Sequence, residues 1–203
     1  MSKVKNLHWY ILSMIIVFVF WFFVFGLLDK IPYEKQMNLF IAAHNVNETA
    51  IEKQIYDILD EENIEQVNVD ACVPGSAERF YPVLSTRGIT YTDILILPEG
   101  TWPDNFLERN VLGFTEDEVL SYFPENKHDY LRYDGTVYGI CVYNSETQKS
   151  LLPETWIDYE EDITDRNYYL FINASSENAG QKNKASEKTD TQVFLLLDKL
   201  FQQ

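Results

Sequence analysis

Chemistry in this chain would have to be built from three histidines, two cysteines, and a scatter of carboxylates and hydroxyls. His44, beside Asn45 at the end of an apolar run, has the residue type for acid–base work, and it equally suits a turn. Glu99 and Asp104 bracket Thr101 and Trp102 and can be read as a carboxylate pair, but a pair needs a nucleophile, a water or a metal held beside it. No motif supplies one: the chain has no Gly-x-Ser-x-Gly elbow, no His-Glu-x-x-His helix and no phosphate-cradling glycine loop. His8 sits in an uncharged apolar stretch and His128 in a polar one. Cys72 and Cys141 form no C-x-x-C pair and lie beside apolar runs, which is compatible with buried inert thiols or with a disulfide. The acidic runs at 60–62 and 158–162 lack the glycine-punctuated spacing of a calcium loop and read as solvated faces. The expectation is a protein that is not an enzyme and that carries no cofactor or metal.

Binding is the chemistry that remains. His44, Asn45, Ser76, Glu99, Thr101 and Trp102 all follow strand-like runs and together offer hydrogen-bond partners around one aromatic surface. Of 32 Asp/Glu and 16 Lys/Arg, only Asp29, Lys3, Lys5 and Lys30 precede Ile31, which leaves 31 against 13 and a net charge of −18 for the rest of the chain. Such a surface repels nucleic acid and anionic headgroups. A ligand at these residues is therefore expected to be small, polar, and neutral or cationic, since no arginine fork accompanies Glu99.

The elements that must position these residues follow from periodicity. Residues 37–43 have the length and apolarity of a strand. His44 to Asn47 turn, and Ile51, Ile55, Ile58 and Leu59 then recur at helical spacing behind an Asn47 cap. "IEQVNVDACV" alternates like a strand until Pro74-Gly75. Ser76 can cap a helix carrying Phe80, Val83 and Leu84, with Gly88 at its end. "DILILP" is a third strand, its unbroken apolar run fitting burial on both faces. This β-α-β-α-β order predicts an α/β fold with an open, mostly parallel sheet and covering helices, in which the strands' carboxyl ends bring the candidate residues to one edge. Further on, Thr115 caps a short helix, "VYGICVYN" and "YYLFIN" read as strands, 147–167 is irregular and acidic, and a final apolar helix docks on the sheet. The stretch 174–190 has no large apolar side chain and predicts a mobile loop.

Ahead of this domain, residues 7–28 contain no charged side chain, enough at helical rise to cross a hydrocarbon core about 30 Å thick. The apolar run exceeds that of a cleavable leader and no small-x-small site follows it, so it reads as a retained transmembrane helix or signal anchor. The organisation expected is a tail at 1–6, a transmembrane helix at 7–28, a linker at 29–35 and a domain at 36–203. Lys3 and Lys5 on one side balance Lys30 and Lys35 on the other, so flanking charge does not orient the segment.

Four stretches, "HWYILSMIIVFVFWFFVFG", "TRGITYTDILILPEG", "DGTVYGICVYNSETQ" and "YYLFINASSENAG", resemble small membrane-anchored proteins of Firmicute-type bacteria whose outer domain is similar to a type 2 extracellular (periplasmic) solute-binding protein. In that family an "ADIL"-like strand ends the first lobe's β-α-β-α-β run, and a Gly-x-x-Tyr-Gly-Ile-Pro-like segment begins a crossing strand. "GTVYGICVY" is similar to the latter, with Cys141 where proline is usual. About 170 residues is one-domain size, so the resemblance implies one lobe with a much reduced second lobe. It further implies a single-pass protein of the cell membrane whose extracytoplasmic domain presents a small polar ligand to a transporter or sensor. The alternative is a non-enzymatic interaction subunit of a membrane complex that keeps the fold without a working pocket.

Overall fold

The computed structural model describes residues 7–28, 30–59, 64–122, 129–159, 165–179 and 192–201. It divides into two compact units, Met1–Pro32 and Tyr33–Gln203.

The first unit is the helix α1, Leu7–Leu28, which has no acidic residue in its first turn and no basic residue in its last. At 1.5 Å per residue its 22 residues extend about 33 Å. Its core from His8 to Gly26 has a mean hydropathy of 2.3, and none of that stretch is buried. It is the one helix among the described residues that is long and apolar enough to cross a membrane. Trp9, Phe18, Trp21 and Phe22 project from it at high exposure.

The second unit is a mixed α/β domain. It begins with a 3₁₀ turn at Tyr33–Lys35, strand β1 (Gln36–Ile41), helix α2 (Glu48–Ile58) and strand β2 (Gln66–Ala71). Helix α3 (Ala77–Val83) passes through a π-turn (Leu84–Gly88) into α4 (Ile89–Tyr91), and β3 (Ile94–Pro98) follows. Then come α5 (Phe106–Asn110), α6 (Glu116–Tyr122), β4 (Tyr130–Tyr133), β5 (Thr136–Asn144), β6 (Lys149–Ser150), β7 (Tyr168–Ile172), a 3₁₀ turn (Glu177–Ala179) and α7 (Gln192–Phe201).

Among the described residues the strands form one seven-stranded sheet in the order β2-β1-β3-β7-β5-β4, with β6 on β5. β1 runs parallel to β2 (Ile41 beside Ala71) and to β3 (Ile41 beside Ile96). Beyond β3 every pairing is antiparallel: β3 with β7, β7 with β5, and β5 with β4 and β6. The sheet is therefore mixed, parallel at one end only. "VYGICVYN" and "YYLFIN" are apolar whichever way they run, so their composition carries no direction.

β3 is buried along its whole length because successive side chains enter different cores. Ile94 and Ile96 join Leu39, Ile41, Ile51 and Ile55 of α2, and Val193, Leu196 and Leu197 of α7. Leu95 and Leu97 join Phe40, Phe80, Leu84, Phe106 and Phe171 on the opposite face. Helices cover both faces, which is what a continuous apolar strand requires.

Local signals account for several boundaries. Asn47 caps α2, its Oδ1 accepting from Ala50 N–H at 3.1 Å. Thr115 and Glu118 form a reciprocal capping box at α6, with Thr115 N–H donating to Glu118 Oε2 at 2.9 Å and Glu118 N–H to Thr115 Oγ1 at 3.3 Å. Gly88 does not end its helix. The chain continues helically to Tyr91, and Gly88 keeps right-handed φ of −76°. Its role is close approach, since a Cβ there would lie 2.8 Å from Leu84 Cδ1 and 3.2 Å from the Phe40 ring.

The stretch expected as a mobile loop starts with ordered structure. Ser176, Asn178 and Ala179 are buried, and Ser176 N–H donates to Asn173 O at 3.0 Å. Buried polar side chains tie this segment down without any large apolar residue, so composition misses it. Residues 180–190 of that expected loop, the tail at 1–6 and position 29 of the linker lie outside the described residues.

Candidate functional site

The chain leaves β1 through buried Ala42 and Ala43, turns at His44 and Asn45, and enters α2 at the Asn47 cap. A second segment, 153–158, folds against this turn. Asn47 N–H donates to Trp156 O and Asp158 N–H to Asn45 O, both at 3.0 Å, and Val46 bridges Ile157 in antiparallel fashion. These bonds satisfy the backbone of two irregular segments and hold them side by side. Between them lies an open groove of about 580 Å³.

One wall of the groove carries His44, Asn45 and Glu48, and the other carries Glu154, Thr155 and Asp158. Trp156 anchors the second wall: its side chain is 1 % exposed and its Nε1–H donates to Gln54 Oε1 of α2 at 2.8 Å. The groove thus offers an imidazole, two amides, two hydroxyls and three carboxylates, and neither lysine nor arginine lines it. Such a lining hydrogen-bonds polar ligands and favours neutral or cationic ones, while anions meet like charge.

The expected site residues are divided by the fold. Parallel pairing of β1 with β2 and β3 sets the loops after all three strands at one edge of the sheet. The helices that follow take opposite faces, with Ile51 and Ile55 of α2 on one side and Phe80 of α3 on the other. His44 and Asn45 accordingly share the groove. Ser76 stands exposed at the N-cap of α3, where its side chain makes no capping bond. Glu99 is exposed in the turn after β3 and accepts from Asn167 Nδ2 at 3.2 Å. Buried Thr101 closes that turn by donating its hydroxyl to Pro98 O at 2.7 Å, next to Gly100 at φ 77°.

Trp102 packs, half-buried, against the core opposite α2. Its ring meets Phe171 edge-on at 5.1 Å and Tyr169 at 6.2 Å, and lies 29° from parallel to Phe106 at 6.5 Å. These contacts place the Trp102 ring on the face of the sheet opposite α2, apart from His44 and Asn45. Conversely, Glu154 and Thr155 lie in a stretch without periodicity, and Asp158 reads from sequence as part of a solvated acidic face. The one available signal there was "TWID", an apolar pair set in an acidic run.

Both thiols are free. Burial pushes Cys141 up to about 11, with the negative charge of Asp129 adding to the effect. Burial also raises Cys72, against the lowering influence of Arg87. Neither is a thiolate nucleophile at neutral pH. Among the described residues no group of three His, Cys, Asp or Glu side chains is placed to hold a metal ion.

No protein-family model, curated protein or solved structure matches this chain.

Proposed function

We propose that the protein is a single-pass, membrane-anchored, non-enzymatic binding module whose α/β domain, with the β-α-β-α-β character of one solute-binding lobe, lies outside the cytoplasm. It takes a small polar, neutral or cationic ligand and presents it to a transporter or sensor. The observation that carries this reading is the groove itself: two segments about 110 positions apart, cross-linked through Asn45, Asn47, Trp156 and Asp158, enclose polar side chains at the carboxyl end of β1. Open α/β sheets bind ligands at that end, where neighbouring strands send their connections to opposite faces, as β1 and β3 do. Helix α1 supports the anchored part of the reading.

The second reading is an interaction subunit of a membrane complex. It is favoured by the packing of half-buried Trp102 against Phe171, away from the groove at His44.

The test is a thermal-shift screen of the full-length chain in maltoside detergent against sugars, amino acids, polyamines and short peptides. A shift that His44→Ala or Asn45→Ala abolishes supports the binding module. No shift across the panel, combined with loss of a co-purifying membrane protein on substituting the groove, replaces it with the interaction subunit.

A further inference from the structure

A second cavity lies at the opposite end of β3. Its volume is about 200 Å³, and Tyr33, Tyr91, Asp93, Ser175 and Glu177 are among its lining residues. The two tyrosines are 55 % and 58 % exposed, yet their rings lie 6.1 Å apart and only 14° from parallel. They form an ordered aromatic platform on the surface, with no part in either core. At the bottom sits Asp93, 4 % exposed. Its Oδ2 accepts from Asn38 N–H at 2.8 Å and its Oδ1 from Ser176 Oγ–H at 2.5 Å.

The chemistry of this cavity is selective. Aromatic faces and a carboxylate both attract positive charge, and no lysine or arginine lines the cavity to neutralise them. The buried side chains that line it, Thr92, Asp93 and Ser176, already have hydrogen-bond partners within the protein. Ser176 Oγ serves Asp93 and also accepts from Asn178 N–H at 3.1 Å, and Asn38 N–H is taken by Asp93. A sugar needs several unpaired donors and acceptors around its ring, and a hydrated metal ion needs a shell of oxygens. A cation clothed in methyl groups needs neither, only a π face and an uncompensated negative charge.

We propose that this cavity binds a small quaternary ammonium group, its methyls against Tyr33 and Tyr91 and its charge facing Asp93 and Glu177. The proposal stands apart from the groove at His44, which lies beyond the other end of the parallel strands. The group can come from a free solute or from a lipid headgroup. Tyr33 follows the last residue of α1 by five positions in the chain, so both sources enter the test.

Asp93 also makes the binding depend on pH. Burial raises its carboxyl to about 6, against the hydrogen bonds from Ser176, Asn38 and Asn178. The groups that face it are Asn38 from β1, Ser176 and Asn178 from the turn after β7, Glu177 at the rim, and the two tyrosines. Ionised Asp93 above pH 6 attracts the cation, and its protonation below that pH removes the charge at the bottom of the cavity.

The experiment titrates the full-length chain in maltoside with choline and with tetramethylammonium, following tyrosine ring resonances by NMR and heat by calorimetry. Saturable binding is expected at pH 7.5, roughly three- to thirty-fold weaker for Tyr91→Ala, near wild type for Tyr91→Phe and weaker again at pH 5. Tyr91 is exposed, so this variant keeps its fold, and Asp93→Asn should weaken binding and flatten its pH dependence. His44→Ala should leave choline binding unchanged, so failure of the groove reading and failure of this one are separable. In nanodiscs, loss of choline uptake with phosphatidylcholine but not with phosphatidylglycerol assigns the site to a lipid headgroup, and equal uptake in both assigns it to a solute. Absence of saturable binding at pH 7.5, or binding indifferent to Tyr91→Ala, overturns the proposal.

Discussion

Ser176 donates its hydroxyl to Asp93 Oδ1 at 2.5 Å across 83 positions of the chain, and both residues are buried. The bond fastens the turn after β7 to the start of β3. Asn173 strengthens the same junction, its Nδ2–H₂ donating to Ile89 O at 2.7 Å and Thr92 O at 2.8 Å. A network of this kind, buried and almost wholly paired, holds a segment that has no large apolar side chain of its own.

The junction makes stability depend on pH. Asp93 titrates near 6 in the folded domain against an ordinary value of 3.8, so the folded state binds the proton more tightly than the unfolded state. The contribution of Asp93 to stability is therefore fully present below about pH 4, is lost as pH rises through 4 to 6, and stays absent above. The difference amounts to about 3 kcal/mol. Asp93→Asn, whose amide can still pair with Asn38 and Ser176, should abolish this component. Denaturant titrations of the full-length wild-type and variant chains at pH 4.5 and 7.5 check it. The stability gap between the two should move toward the variant at the higher pH, and an unchanged gap contradicts the assignment.

Trp102→Ala should act on stability and spare the groove. Removing the ring strips edge contacts from Phe171 and Tyr169 and opens a space beside Phe106, at a cost of about 2–4 kcal/mol. Thermal unfolding with and without a groove ligand measures both quantities. A lower midpoint with an undiminished ligand-induced shift is the expected pair of results.

Gly88→Ala should destabilise by about 1–3 kcal/mol, because its methyl would press on Leu84 and on the ring of Phe40, itself fully buried. Gly75→Ala, with nothing within 4 Å of the new methyl, is the matched control and should leave the midpoint near wild type.

The anchor reading expects the full-length chain to remain with membranes through a carbonate wash, since α1 has no charged residue to favour release. Protease added to wall-stripped cells should digest the α/β domain while sparing an N-terminal tag. Complete protection would put the domain in the cytoplasm and remove the solute-presenting reading.

Much of the architecture was legible in local pattern. A charge-free stretch at 7–28 can satisfy its backbone in an apolar medium only as a helix, and it is one. Four consecutive apolar residues at 94–97 implied a strand covered on both sides, and their side chains enter two different cores. Asn47 capped the helix that its amide favours. These features depend on a residue and its near neighbours, where periodicity and propensity operate.

The candidate sites were decided elsewhere. Sequence placed Trp102 with His44 because both follow strands, but the connections after β1 and β3 take opposite faces, and an indole beside Phe106 and Phe171 gains more from burial than from water. The groove's second wall came from an acidic stretch that shows no period, and it is held to the turn after β1 by backbone bonds at 156 and 158 and to α2 by the Trp156 indole on Gln54. Tyr33, Tyr91, Asp93 and Ser176 come from three separate stretches of chain, and they meet because β1, β3 and β7 are adjacent in the sheet. By itself the sequence determined which segments are apolar, which are helical or extended, and where the charge lies, since local patterning encodes burial. Only the tertiary structure decided which buried and polar groups face each other, because strand order and the face taken by each connection are set by packing across the whole domain.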